Sequence, residues 1–108
     1  MFKRNDVIFW MGENAKENWK LLENANVNDI WVHLMDYPSC YVVIHHDEKI
    51  TDNDIMYAGQ LCKIYSRFKH VLRVRMCYLD VKYVKKGKVM GEARCEREPF
   101  VKWIDYTN

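Results

Sequence analysis

The sequence predicts an α+β domain, with two helices packed on a mainly antiparallel sheet of about five or six strands. Short runs rich in β-branched and aromatic residues recur along the whole chain, as strands require. Two longer stretches instead show apolar residues at helical spacing, each preceded by a capping residue. The run order is strand, helix, two strands, helix, then three strands. No repeat, low-complexity tract or linker interrupts it, so residues 1–108 are expected to form one domain.

Each element has a local reason. Val7-Ile8-Phe9-Trp10-Met11 is a short buried-type strand that Gly12 ends. Asn14 caps the helix that follows, with Glu17 three residues on as its capping-box partner. Ala15, Trp19 and Leu22 recur on one helical face, widened by Leu21 and Ala25. Asp29 to His33 and Tyr41 to Ile44 are apolar runs around a turn containing Asp36, Tyr37 and Pro38, a pair of strands. His45 to Lys49 is a polar loop, and Thr51 with Asp54 marks a second helix start. Ala58, Leu61, Cys62, Tyr65 and Phe68 give that helix its stripe over residues 54–68, with Lys63, Arg67 and Lys69 near its negative end. Val71 to Val84 reads as extended, with Leu72, Val74, Met76 and Tyr78 facing the core and Arg73, Arg75 and Cys77 outward. Lys85-Lys86-Gly87-Lys88 is a basic, flexible turn. Short strands near Glu92–Cys95 and Phe100–Ile104 complete the sheet.

Charge is divided unevenly. Residues 1–62 hold 5 Lys/Arg against 10 Asp/Glu, whereas residues 63–108 hold 12 against 5, within an overall net charge of +2. A basic second half suits a phosphate-bearing partner. No apolar run is long enough to span a bilayer, so no membrane association is expected. The N-terminus shows no signal peptide, and Cys40, Cys62, Cys77 and Cys95 form no C-x-x-C pair, so the thiols read as reduced and the compartment as cytoplasmic. Their spacing with the four histidines matches no standard zinc site, so neither a metal nor a cofactor is expected.

Two chemistries compete for the polar residues. Asp29, Trp31 and His33 share one face of their strand by period two. His33 with His45 or His46 would suit a metal-independent ribonuclease, if the neighbouring strands brought them together. No serine elbow, phosphate loop or carboxylate pair accompanies them, so catalysis is the minority reading. Nucleic-acid binding needs only cations beside flat rings, which Arg73, Arg75, Lys82, Lys85, Lys86 and Lys88 supply with Tyr78 and Tyr83 interleaved. A basic turn reads phosphates of RNA and DNA alike. A third reading is a protein-interaction or dimerisation module built on an exposed strand edge.

Taken in order, these pieces resemble the NFACT-R domain, the RNA-binding module of the NFACT ribosome quality-control proteins. Gly12-Glu13-Asn14-Ala15-Lys16-Glu17-Asn18 is similar to its opening glycine-arginine-asparagine motif, and Asp29-Ile30-Trp31-Val32-His33 to its Asp-hydrophobic-aromatic-hydrophobic-His strand. Pro38 to Ile44 falls where the family has Pro-Gly-Ser-His and an aliphatic strand. Ala58-Gly59 and Tyr65-Ser66 fit its next helix, and Tyr78, Lys82, Val84, Lys85, Lys86 and Gly91 its closing strand and basic turn. Glu13, Ser39 and Tyr41 depart from it, standing where the family has arginine, the turn glycine and the second histidine. The resemblance implies an RNA-binding adaptor without enzymatic activity, with tRNA or ribosomal RNA and the ribosome as partners. It adds Asn14, Lys16, Trp31, His33 and Tyr41 to the basic residues as candidate contacts.

Overall fold

The computed structural model describes residues 1–105, so the last three positions of the expected domain lie outside the described residues. Eight strands, two helices and one 3₁₀ turn follow one another. They are β1 (Phe2–Arg4), β2 (Val7–Met11), α1 (Ala15–Asn24), β3 (Ile30–Leu34), β4 (Val42–His45), α2 (Asp52–Ile64), β5 (Val74–Asp80), the 3₁₀ turn (Val81–Tyr83), β6 (Val84–Lys86), β7 (Ala93–Cys95) and β8 (Phe100–Ile104). Six strands form one fully antiparallel sheet in the order β1-β2-β4-β3-β5-β8, and β6 with β7 forms a separate hairpin. The α+β expectation therefore holds.

The sheet is covered on both faces, which explains why Val42, Val43 and Ile44 are all buried in consecutive positions. On one face α2 brings Ile55, Ala58, Leu61 and Cys62 onto Phe9, Val32, Leu34, Val42, Ile44, Val74, Met76 and Ile104. On the other, α1 and the β6–β7 hairpin cover Trp31, Tyr41, Val43, Cys77 and Leu79, with Val84 of the hairpin in the same cluster.

Local chemistry sets the element ends. The Thr51 hydroxyl accepts the Asp54 backbone N–H while the Asp54 carboxylate accepts that of Thr51, a complete capping box on α2. Asn14 caps α1 by accepting from the Glu17 N–H, but the Glu17 carboxylate reaches back to the N–H of Glu13 rather than of Asn14. Asn5 and Asp6 both take positive φ, the backbone of a two-residue hairpin turn between β1 and β2.

Several expectations need correcting. The strand near Glu92–Cys95 does not complete the main sheet but pairs, as β7, with β6, and β6 takes in Lys85 and Lys86, which the sequence assigns to the turn. The second helix ends at Ile64 rather than residue 68, because the Ser66 hydroxyl and N–H both bond to the Lys63 carbonyl and turn the chain. Phe68 then leaves the helical stripe and stacks on Tyr37 at 4.3 Å. The extended run of residues 71–84 is strand only from Val74 to Asp80 and bends through the 3₁₀ turn before β6. Within it Leu72 is exposed, while Cys77 is buried because the hairpin covers the face expected to be open.

The hairpin docks through Gly91, whose φ of +88° lies in the left-handed region and whose absent Cβ would stand 2.6 Å from the Ala15 Cβ. Both constraints demand glycine. Gly91→Ala should therefore cost about 1–3 kcal/mol of unfolding free energy, read as a lower urea midpoint at unchanged m-value. An unchanged midpoint would mean that the hairpin does not rest on α1.

Candidate nucleic-acid interface

The Asp29–His33 strand places its three polar-capable side chains on the face under α1 and the hairpin, and each meets a different neighbour. The Asp29 carboxylate accepts the Asn26 N–H at 2.9 Å, closing the turn into β3, and pairs with His45 Nδ1 at 2.7 Å. Trp31 is only 3% exposed, and its Nε1–H has no hydrogen-bond partner among the described residues. The His33 ring stacks against Trp31 at 5.8 Å and meets Tyr41 edge-on at 5.0 Å.

Tyr41 is the centre of this arrangement. Its N–H donates to Asn18 Oδ1 at 3.2 Å, its carbonyl accepts the Gly12 N–H at 3.1 Å, and its hydroxyl donates to the Gly91 carbonyl. Gly12 is required here, since a Cβ at that position would lie 2.3 Å from Asn18 Oδ1. The opening Gly12–Asn18 segment, the Pro38–Tyr41 segment and the hairpin tip at Gly91 thus meet at one residue. Asn18, Trp31, His33, Pro38, Ser39, Tyr41 and Gly91 line a cleft of about 360 Å³, and Asn14, Ser39 and Gly91 line a second that adjoins it.

The cations fall into separate groups. Lys85 and Lys86 lie exposed on β6 and Lys88 follows at the hairpin tip, where the Gly87 N–H donates to the Glu92 carbonyl. Lys86 is engaged by Glu23 of α1 and lies 5.3 Å from the Trp19 ring, so it also ties the hairpin to the helix. Lys85 and Lys88 make no ion pair among the described residues. Lys16 is exposed on α1, and Lys82 approaches the Tyr83 ring at 5.2 Å. Arg73 and Arg75 stand on the far part of the sheet, where Arg75 Nε meets Asp36 Oδ2 at 2.8 Å in a forked pair. The cleft therefore gathers Trp31, His33 and Tyr41, of which Trp31 and Tyr41 are buried, and Asn14 lines the adjoining one; Lys82, Lys85 and Lys86 line a separate cleft with Leu22 and Glu23 of α1, and Arg73 and Arg75 form a third area.

The register separates the histidines. Trp31 faces Val43 and Ile30 faces Ile44, so His45 lies at the Asp29 end of the strand pair and His33 at the Tyr41 end. The pairing that a two-histidine nuclease would need is not formed. Sequence reasoning missed the Asp29–His45 and Asp36–Arg75 pairs. The first was legible as an acid and an imidazole at facing ends of neighbouring antiparallel strands; the second had no signal beyond charge.

These environments also set the titration. Burial holds the His33 imidazole down to about 4, against a smaller upward effect of a backbone hydrogen bond at Ser39. His45 is raised above its ordinary 6.5, first by its hydrogen bond to Asp29, with Asp47 at 3.1 Å from Nε2 adding to it. Burial pushes the Tyr41 phenol up to about 12, so it stays a hydrogen-bond donor.

An antiparallel sheet sandwiched between one helix and a helix–hairpin layer defines the class of this protein. The same fold is seen in the C-terminal part of the fibronectin/fibrinogen-binding protein from Streptococcus suis, with a TM-score of 0.83 over 94% of this chain and 41% of that one, at 23% identity. Residues 1–93 match the family described as the NFACT protein RNA binding domain, and the chain belongs to that family. It is also 32% identical over 77 residues to the Rqc2 homolog RqcH of Bacillus subtilis (strain 168), covering 70% of this chain and 13% of that protein. Among the described residues no helix is long and apolar enough to cross a membrane.

The histidine environments make opposite contributions to stability. His45, raised when folded, stabilises fully below the unfolded value near 6.5, and that contribution is lost as pH rises through its folded pKa. His33, lowered when folded, stabilises above 6.5, and its contribution is lost as pH falls toward about 4. NMR titration of the ring protons should place the His45 midpoint above 6.5 and that of His33 near 4, with Asp29→Asn lowering the former alone. The reverse order of midpoints would contradict the described burial.

Proposed function

We propose that this domain binds structured RNA, with tRNA or ribosomal RNA as its target, and that it serves as a non-catalytic adaptor in translation or ribosome quality control in the cytoplasm. The observation that carries the proposal is the match to an RNA-binding domain family over residues 1–93, which includes every motif around Tyr41 and the whole hairpin lysine group. Lys85 and Lys88 are exposed on the hairpin and make no ion pair among the described residues, which leaves them available to phosphates. Lys86 exchanges Glu23 for a phosphate, and Lys82, Lys16 and Asn14 extend the contact along the hairpin and α1. His33, neutral at physiological pH, offers a hydrogen-bonding group rather than charge, whereas Tyr41 is buried with its N–H, carbonyl and hydroxyl all engaged and supports the cleft from beneath. The separation of His33 from His45 favours holding RNA over cutting it.

Fluorescence anisotropy with labelled tRNA across a salt series tests this reading. Replacing Lys85, Lys86 and Lys88 together by alanine should weaken binding and flatten the slope of log affinity against log salt by about 2–3. An unchanged slope removes the hairpin from the interface. Labelled tRNA should stay intact on incubation with the protein and a chelator; cleavage that His33→Ala abolishes would replace binding with catalysis.

A further inference from the structure

We infer that the uncovered part of the sheet around Trp103 is a second RNA surface, one that stacks unpaired bases. The inference rests on the RNA-binding reading above, and it concerns β8, which lies beyond the residues matched by the family.

The register defines the surface. Cys77 faces both His33 and Val101 across the sheet, and Arg75 faces Trp103, so Val101, Trp103 and Arg75 point to the same side as His33. Met35 joins them, its N–H donating to the Arg75 carbonyl at 2.9 Å. The α1–hairpin layer covers Trp31, Tyr41 and Leu79 but does not extend this far. Met35 remains 44% exposed, Val101 43% and Trp103 48%. An open tryptophan, valine and methionine in contiguous positions form an apolar patch that water does not favour.

Cations select the occupant. The Arg73 guanidinium lies 4.3 Å from the Trp103 ring centre and that of Arg75 5.9 Å from it. At the other end of β8, the Arg97 guanidinium lies 3.9 Å over Tyr83, which packs against the cluster on this same face. One guanidinium–ring contact thus sits on the apolar floor at Trp103, and a second lies on the same face where the chain leads into β8. Planar rings for bases and guanidinium groups for phosphates are the equipment of a single-strand binding surface. The existing partners of the arginines do not oppose this. Arg73 meets Asp105 at 3.4 Å with both side chains exposed, a weak pair that a phosphate displaces. Asp36 holds Arg75 in a forked pair, leaving Arg73, whose ion pair is exposed, as the cation that can turn to a phosphate. The excess of basic over acidic residues in the second half matches a polyanion, whereas a second copy of the chain would bring the same charges against themselves.

The test uses a fluorescein-labelled single-stranded RNA of about ten nucleotides, and a duplex of the same sequence, with the full chain. Trp103→Ala should weaken single-strand binding by about tenfold, Trp103→Phe should restore most of it, and duplex binding should change little. Because the half-exposed indole also contributes packing, the native protein is examined in parallel by NMR. Its Trp103 indole N–H, assigned by comparison with Trp103→Phe, should shift on titration with the single strand. RNA binding that leaves this resonance and the Trp103→Ala affinity unchanged would overturn the stacking surface while sparing the RNA-binding reading. No binding of either RNA, or of tRNA, by the native protein would overturn both. Sedimentation showing a dimer that Trp103→Ala dissociates would assign the patch to self-association and overturn the inference as well.

Discussion

Tyr41 is held at its N–H, its carbonyl and its hydroxyl by two different segments, and the second layer of the molecule depends on that fixation. Gly12 and Asn18 pin the start of α1 to β4 through the two backbone groups, and Gly91 brings the hairpin down onto the phenol. Without this junction the face bearing Trp31, Val43, Cys77 and Leu79 would be open to water. Burying large apolar side chains is worth roughly 1.5–3 kcal/mol each, so the hydrogen bonds act mainly by positioning the layer that provides the burial. Tyrosine suits the position because one side chain both fills the cluster and carries a polar tip to the hairpin.

The same junction explains why the family pattern is spread so widely along the chain. Gly12, Asn18, Asp29, Trp31, His33, Pro38 and Gly91 are distant in sequence, yet most line one cleft or brace its walls. Asp29 is the exception in place but not in logic: it closes the turn that starts β3 and aligns β4 through His45. Of the departures from the family pattern, Tyr41 is part of the frame through its three hydrogen bonds, whereas Glu13 is exposed just before α1. A half-buried neutral imidazole and a protonated phenol make the cleft polar without making it charged.

Much of this fold was legible before the structure. Thr51 with Asp54, the alternation in β5 and the apolar stripe of α2 each have a local cause, and local causes can be read from neighbours in sequence. The N-terminal strand was missed although Asn5-Asp6 is a turn signal, because Phe2-Lys3-Arg4 has no apolar alternation of its own. Burial of Cys77 could not be read, since it depends on where the hairpin lands, a contact between segments far apart in sequence. The same holds for the site. The lysine group was visible as composition, but the meeting of Asn18, Tyr41 and Gly91 is a property of three-dimensional packing.

The hairpin shares no backbone hydrogen bond with the six-stranded sheet; side chains such as Trp19, Tyr41 and Lys86 fasten it instead. Its attachment therefore depends on side-chain packing and side-chain hydrogen bonds, with no ladder of the main sheet involved. Because Val84 belongs to the same buried cluster as Trp31 and Leu79, with Ala93 and Cys95 packed against it, the hairpin is tied to the core by packing instead of by a ladder, and lifting it would expose that cluster.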